Sequence, residues 1–342
     1  MQTMADVFRS DLFSTTSLTL AINVEPYVPQ YLSKLGLFEE DGVETTTVVI
    51  EKQGTVLTLM PTKARGAPGT PIAGDKRSGY SFAIPHIPAS AQVHADEIQN
   101  VRQFGSANQL TGLKQKRDEK IRKMSRNLDL TLEYHRLGAV QGLVLDSDGS
   151  TLFDLYTEFN VSARTEVDLN LDATYDPNNP AVAGAVRKAV TQVKRDMQED
   201  LDGNEPTGCL VLCSDEGWDA LISAPEIRNT YLNQQEAKEL RQKDGREEFV
   251  FAGCLWTNYR GTGSVKVPAN KFRFVPLGVP GLFITRFAPA NYMETVNTTG
   301  LPKYVKAAPD PSGFDKFVEL EAQSNPLNLC TRPRALRLAK IT

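Results

Sequence analysis

Six apolar residues, Ile121, Met124, Leu128, Leu132, Leu137 and Val140, recur at intervals of three to five, and this stripe constrains the fold more than any other feature of the chain. Such spacing lays one apolar ridge along a single helix. The pattern predicts a helix of about 30 residues that ends near Gly142, since glycine readily closes a helix. Its first half, "LKQKRDEKIRK", is rich in charge and dominated by cations. Lys114, Lys116, Arg117, Lys120, Arg122, Lys123 and Arg126 form a strip that Asp118 and Glu119 interrupt. Two readings of the strip stay open. It is a solvated helix face whose charges pair along the helix, or it contacts an acidic surface of another chain or a nucleic acid.

The segments before this helix are poor in core-forming residues. Residues 1–38 have no sustained period and hold Pro26 and Pro29, which reads as an extended arm with a short helix near its end. The stretch "VETTTVVIEKQGTVLTLMP" gives two β-branched runs around Gln53-Gly54, a hairpin signal. It leads into "TKARGAPGTPIAGDKRSGYSF", where Gly66, Pro68, Gly69, Pro71, Gly74 and Gly79 crowd together. A stretch so poor in apolar residues cannot bury a core of its own and reads as a projecting loop.

Beyond the long helix, Asp148-Gly149 separates two strand-like runs and predicts a hairpin with a type I′ turn. Mixed α and β patterns begin near residue 175. Asn179-Pro180 is expected to open a helix carrying Val182, Val186, Val190, Val193 and Met197 on one face, with Gly203 just past its end. "GCLVLCS" reads as a buried strand, "DEGWDALIS" and "PEIRNTYLNQQEAKELRQ" as helical, and "EEFVFAGCLWTNYRG" as strand. Residues 310–328 are read as helix and loop, and "PRALRLAKIT" as an alternating strand.

At 342 residues the chain has room for about two domains with sizeable cores. Its 38 Lys plus Arg against 42 Asp plus Glu leave a net charge of -4, which disfavours tight non-specific binding to nucleic acid. Cys209, Cys213, Cys254 and Cys330 lie in apolar, strand-like surroundings and read as buried, reduced thiols. Cys209 and Cys213 lack zinc-knuckle spacing, so no metal is expected there. The N-terminal segment is unlike a signal peptide, and no stretch is apolar enough to span a bilayer, which reads as a protein assembled in the cytoplasm.

No phosphate loop, zinc helix or nucleophile elbow is present in the sequence. His86 and His94 read as polar loop residues, His135 as a surface or packing residue, and Trp218 and Trp256 as core. No catalytic residue, cofactor or metal site is expected. An enzyme working through an acid and base from carboxylates alone stays open, but nothing selects a pair.

Four segments resemble, in order, the major capsid proteins of lambda-like tailed phages: "KARGAPG", "SDEGWDALISAPEIRNTY", "FAPANYMETVNTTGLPKYVKA" and "EAQSNPLNLCTRPRALRLAKIT". The resemblance implies an α+β chain with the Hong Kong 97 capsid fold. It assigns residues 1–38 to an N-terminal arm, 39–93 to an extended E loop, 94–172 with 319–342 to a peripheral domain holding the long spine helix, and 173–318 to an α/β axial domain. The late Gly/Pro segment, residues 274–307, is then expected to pack in the axial domain and shape subunit contacts. The implied partners are copies of the chain in pentamers and hexamers, a separate scaffold protein, a portal, a decoration protein in some relatives, and double-stranded DNA contacted weakly. No membrane is implied. Lys63, Arg65 and Arg77 of the loop, with Lys114, Lys116 and Arg117 of the spine helix, are expected to make inter-subunit salt bridges. Two other readings, a bacterial nanocompartment shell and a soluble α/β enzyme, are separated from this one by co-purifying cargo and by a deep polar pocket, respectively.

Overall fold

The computed structural model describes residues 18–19, 22–23, 31–54, 76–99, 109–171, 184–201, 204–232, 248–260, 265–314 and 316–341. The first part of the chain forms α1 (Tyr31–Leu35), β1 (Glu39–Gly42), β2 (Thr47–Gly54), β3 (Lys76–Ala83), β4 (Ile87–His94), α2 (Ala95–Gln99) and the long helix α3 (Gln109–Gln141). Next come β5 (Leu143–Leu145), β6 (Thr151–Asp154), α4 (Leu155–Glu158), β7 (Val167–Asp168), α5 (Ala185–Asp200) and β8 (Gly208–Cys213). They are followed by α6 (Asp215–Ser223), α7 (Pro225–Leu232), β9 (Phe249–Phe251), β10 (Cys254–Asn258), β11 (Lys271–Leu277) and β12 (Phe283–Phe287). The last strands are β13 (Tyr304–Pro309), β14 (Phe317–Ser324), β15 (Pro326–Cys330) and β16 (Arg337–Lys340).

The helix predicted from the apolar stripe is α3, 33 residues long and ending one residue before Gly142. All six stripe residues are buried. The stripe serves two cores. Ile121, Met124 and Leu128 pack on Val93, Val318, Leu320 and Ala322 of the three-stranded sheet β13-β14-β4. Leu137 and Val140 instead enter a second core with Phe82, Leu210, Leu212, Phe283 and Leu327. That second core collects side chains from a β1-β12-β15 sheet and from one face of a six-stranded sheet, β7-β16-β11-β8-β10-β9. The opposite face of the six-stranded sheet packs under α5, α6 and α7, through Val190, Val193, Trp218, Leu221 and Ile227 against Val211, Phe272 and Phe274. Trp256 is fully buried there, and its indole Nε1 donates to the Phe251 carbonyl at 3.1 Å. The four cysteines are free and buried.

Several expectations change on contact with the structure. The chain does not turn at Gln53-Gly54, since both residues continue β2 and pair with Arg77 and Lys76 of β3. Residues 55–61, the expected partner run, lie outside the described residues. Gly79, expected in the projecting loop, is in β3 opposite Glu51. The Asp148-Gly149 hairpin forms from β5 and β6, but only Gly149 has a positive φ, +86°. Its amide donates to the Asp146 carbonyl at 3.0 Å and the Asp146 amide to the Ser150 carbonyl at 2.8 Å, which makes a three-residue loop in place of the type I′ turn.

The helix expected from Pro180 starts only after Gly184, whose φ of +79° is not helical. Val182 and Gly203 lie outside the described residues. Residues 317–324 and 326–330 are strands, not helix and loop. His94 is in β4 with its ring 5.6 Å from that of Phe317, whereas His86 stays in a connection with Nδ1 2.8 Å from Asn325 Oδ1. His135 is buried, and burial lowers its pKa while Asp146 works the other way.

The sheets also cut across the segments assigned from sequence. β16 joins β11 and β7 in the six-stranded sheet, and β13 joins β14 and β4 beside α3. Residues 274–307 do not pack within the α/β unit alone, because they run from β11 of the six-stranded sheet through β12 of the β1-β12-β15 sheet to β13 of the β13-β14-β4 sheet.

Candidate assembly surface

Of the six cations expected at contacts, Lys63 and Arg65 lie outside the described residues. Arg77 is in β3 opposite Gln53. The other three lie along the first half of α3. Lys114 is exposed. Lys116 pairs with Glu119 at 3.1 Å and Arg117 with Asp118 at 2.7 Å. Lys120 reaches off the helix to Glu97 at 2.7 Å, and this partner holds the Glu97 carboxyl below its usual value.

A more ordered set of charges, missed from sequence, lies on the second half of α3. The Asp129 carboxylate meets Lys303 Nζ at 2.7 Å, and both side chains are buried. Lys303 also donates to Ser125 Oγ at 2.8 Å. One turn on, Glu133 accepts from the Leu32 amide at 2.9 Å, Ser33 Oγ at 2.9 Å and the Tyr259 hydroxyl at 3.1 Å. Burial and the Glu133 charge push the Tyr259 pKa well up. Arg136 contacts Glu40 at 2.5 Å, donates to Ser33 Oγ at 3.0 Å and stacks 5.2 Å from the centre of the Phe38 ring. The spacing of 129, 133 and 136 was the available signal, since residues four and three apart share one helix face. Their partners at 32, 33, 40, 259 and 303 are remote in sequence, so the bonds themselves left no local trace.

These bonds tie the end of the arm and the late segment to one helix, which leaves two features on the outside. The first is the β2–β3 ribbon, whose base is held by Phe82 against Phe153 and Phe159 while Val49 is 61% exposed. The second is the loop 288–303. Met293 is 90% exposed, Val296 58% and Leu301 42%. The loop is nonetheless firmly held. The Asn291 amide donates to Gln323 Oε1 at 3.0 Å, Thr295 Oγ1 to the Ala290 carbonyl at 2.7 Å and the Gly300 amide to the Val43 carbonyl at 2.9 Å. A Cβ on Gly300 would lie 1.9 Å from the Phe287 carbonyl oxygen, so only glycine fits that crossing. Among the described residues no group of three or more His, Cys, Asp or Glu side chains could hold a metal ion.

A two-stranded ribbon, one long helix under a three-stranded sheet and a six-stranded sheet flanked by helices, as described, have the Hong Kong 97-type capsid fold. The capsid protein of Myoviridae phage XM1 matches this arrangement with a TM-score of 0.50 over 91% of both chains at 10% identity. Residues 14–341 match the family model described as phage major capsid protein E, and the chain belongs to that family. The major capsid protein of Pseudomonas phage KPP10 is 28% identical to it, across 94% of this chain and 95% of the relative. That of Salmonella phage Felix O1 is 24% identical across 95% of each. The chain is therefore a structural component of the virion capsid, built as a shell of its own copies, and not an enzyme.

Proposed function

We propose that copies of this chain associate as pentamers and hexamers and close into an icosahedral head around double-stranded DNA, in the host cytoplasm and with a separate scaffold protein and a portal. The observation that carries this reading is the loop 288–303. It holds Met293, Val296 and Leu301 out in water on a backbone fixed by a hydrogen bond within the loop and by others to Val43 and to residues 323–325. Water alone gives no reason to order exposed apolar side chains, whereas an adjacent subunit that covers them does.

On this reading residues 1–38 act as the arm and 39–93 as the E loop, whose last residues return as β4 into the peripheral sheet. The peripheral domain is α3 with the β13-β14-β4 sheet, and the axial domain is the six-stranded sheet with α5, α6 and α7. A two-stranded ribbon is marginal alone in water, so the E loop gains order by lying on a neighbour. Lys63, Arg65, Arg77, Lys114, Lys116 and Arg117 are the cations that meet carboxylates across that contact. A net charge of -4 keeps the contact with packaged DNA weak, as a container that must let its contents move requires. A decoration protein would sit on the outer face of the closed shell.

Negative-stain microscopy of the chain expressed alone and then with its scaffold tests the reading. Closed particles, or pentamers and hexamers that close when scaffold is added, are expected. A stable monomer under every condition overturns it. Tight binding of closed shells to free DNA at physiological salt would overturn the weak contact with DNA.

A further inference from the structure

Strands β8 and β10 run parallel in the six-stranded sheet, with Leu255 paired to Leu210. One position earlier on each strand stand Cys209 and Cys254, so the two thiols leave neighbouring strands on the same face. Both are buried in the core that also holds α5. The two thiols are close enough for each to shift the ionisation of the other, and Cys209 Sγ lies 3.9 Å from the Leu210 carbonyl oxygen, to which it donates. Cys330, by contrast, belongs to β15 of a different sheet, and Cys213 lies four residues further along β8. Lys194 of α5 reaches the same place. Its ammonium is 3.4 Å from the Ala252 carbonyl and its charge acts on both sulfurs.

The position of Cys254 in the sheet adds a second fact. It follows directly on the tight turn Ala252-Gly253, where both residues have positive φ, and it pairs with Phe251 of the three-residue edge strand β9. Val250 of that edge is 66% exposed. An edge hairpin this short is the part of a sheet that opens most readily, and opening it admits a small molecule to Cys254.

We propose that Cys209 and Cys254 are an oxidisable dithiol, converted by hydrogen peroxide to a disulfide that staples the edge hairpin β9–β10 to β8. Cys254 reacts first. The neighbouring Cys209 thiol and, less strongly, Lys194 lower its pKa against the burial that raises it, whereas Cys254 and burial both raise that of Cys209. The Cys254 thiolate attacks one peroxide oxygen, the O–O bond breaks, and hydroxide leaves and takes up the proton that the thiol had released. Cys254 is then a sulfenic acid. The Cys209 sulfur attacks the Cys254 sulfur, the S–S bond forms, the S–O bond breaks and the Cys209 proton leaves with the hydroxyl as water. Two thiols and one peroxide thus give one disulfide and two waters. The staple forms outside a reducing compartment and is absent within one.

The test uses the folded full chain, treated with hydrogen peroxide, alkylated, digested without reduction and mapped by mass spectrometry. One peptide pair joining Cys209 to Cys254 and lacking two hydrogens is expected, with Cys213 and Cys330 recovered alkylated. The pair should disappear after dithiothreitol, and the oxidised chain should melt higher than the reduced one. Cys209→Ser should leave Cys254 as a sulfenic acid that dimedone traps. Absence of the Cys209–Cys254 peptide from oxidised, still-folded wild type overturns the proposal, as does linkage distributed over all four cysteines. Because that reading uses wild type alone, it stands even if the serine variant does not fold.

Discussion

In the first half of α3, Lys116 meets Glu119 at 3.1 Å with their side chains 33% and 70% exposed; in the second half, Asp129 meets Lys303 at 2.7 Å with 1% and 8% exposed. The two pairs look alike as contacts and differ in what surrounds them. Water screens the first and solvates its members when they part, so it contributes at most about 1 kcal/mol. The second has no water to fall back on. Its net contribution relative to apolar residues is small, but removing one partner strands the other. Buried pairs of this kind fix how segments meet within the subunit, and the outer pairs are free to exchange for partners elsewhere.

The sharpest way to break this comparison is Asp129→Ala. It should cost about 3–5 kcal/mol in urea unfolding, because Lys303 remains buried without its counter-charge. The double replacement Asp129→Leu with Lys303→Met should recover most of the loss. Glu133→Gln comes next. It keeps the shape but removes the charge that receives three donors, and a loss of about 1–3 kcal/mol is expected, with faster amide exchange at residues 31–35.

The buried half should also impose its own pH dependence. His135 has a lowered pKa, so below about pH 6.5 the unfolded chain binds a proton that the folded chain refuses, and stability falls as pH falls. Tyr259 has a raised pKa, so above about pH 10 the unfolded phenol ionises first and stability falls as pH rises. Unfolding titrations of His135→Asn and Tyr259→Phe should each flatten one of these limbs. The smallest effect on the subunit belongs to Lys114→Ala with Lys116→Ala, less than about 0.5 kcal/mol. Particle yield should nonetheless drop, and an unchanged yield would return both residues to the role of a solvated face.

What the sequence made legible follows the range of the interactions involved. α3, β8 and α6 were readable because each is specified by residues within a few positions of one another, such as the apolar repeat and the Ser214 side chain that caps α6. The β2–β3 pairing was not, since the partner strands are separated by residues 55–75 and β-branched residues nearby offered a false turn. β14 was misread for another reason. "ELEAQ" favours helix by composition, but Val318, Leu320 and Ala322 alternate inward, and burial against α3 overrides propensity. The candidate contact surface was legible only in part. The cations of α3 could be named from the sequence and residues 274–307 were expected to shape subunit contacts, but Met293 and Val296 could not be picked out within them, because exposure depends on what the rest of the chain leaves uncovered.

The placement of β14, β15 and β16 has a consequence for the timing of synthesis. β14 is the central strand of its sheet, β15 closes the β1-β12-β15 sheet and β16 lies between β7 and β11. Residues 317–340 therefore supply one strand to each described sheet of three or more strands, yet they leave the ribosome after all the strands they must join. A nascent chain halted before residue 317 would lack part of every such sheet, together with the Gln323 and Asn325 bonds that hold the loop 288–303. Contacts through that loop therefore have to wait until translation has passed these strands.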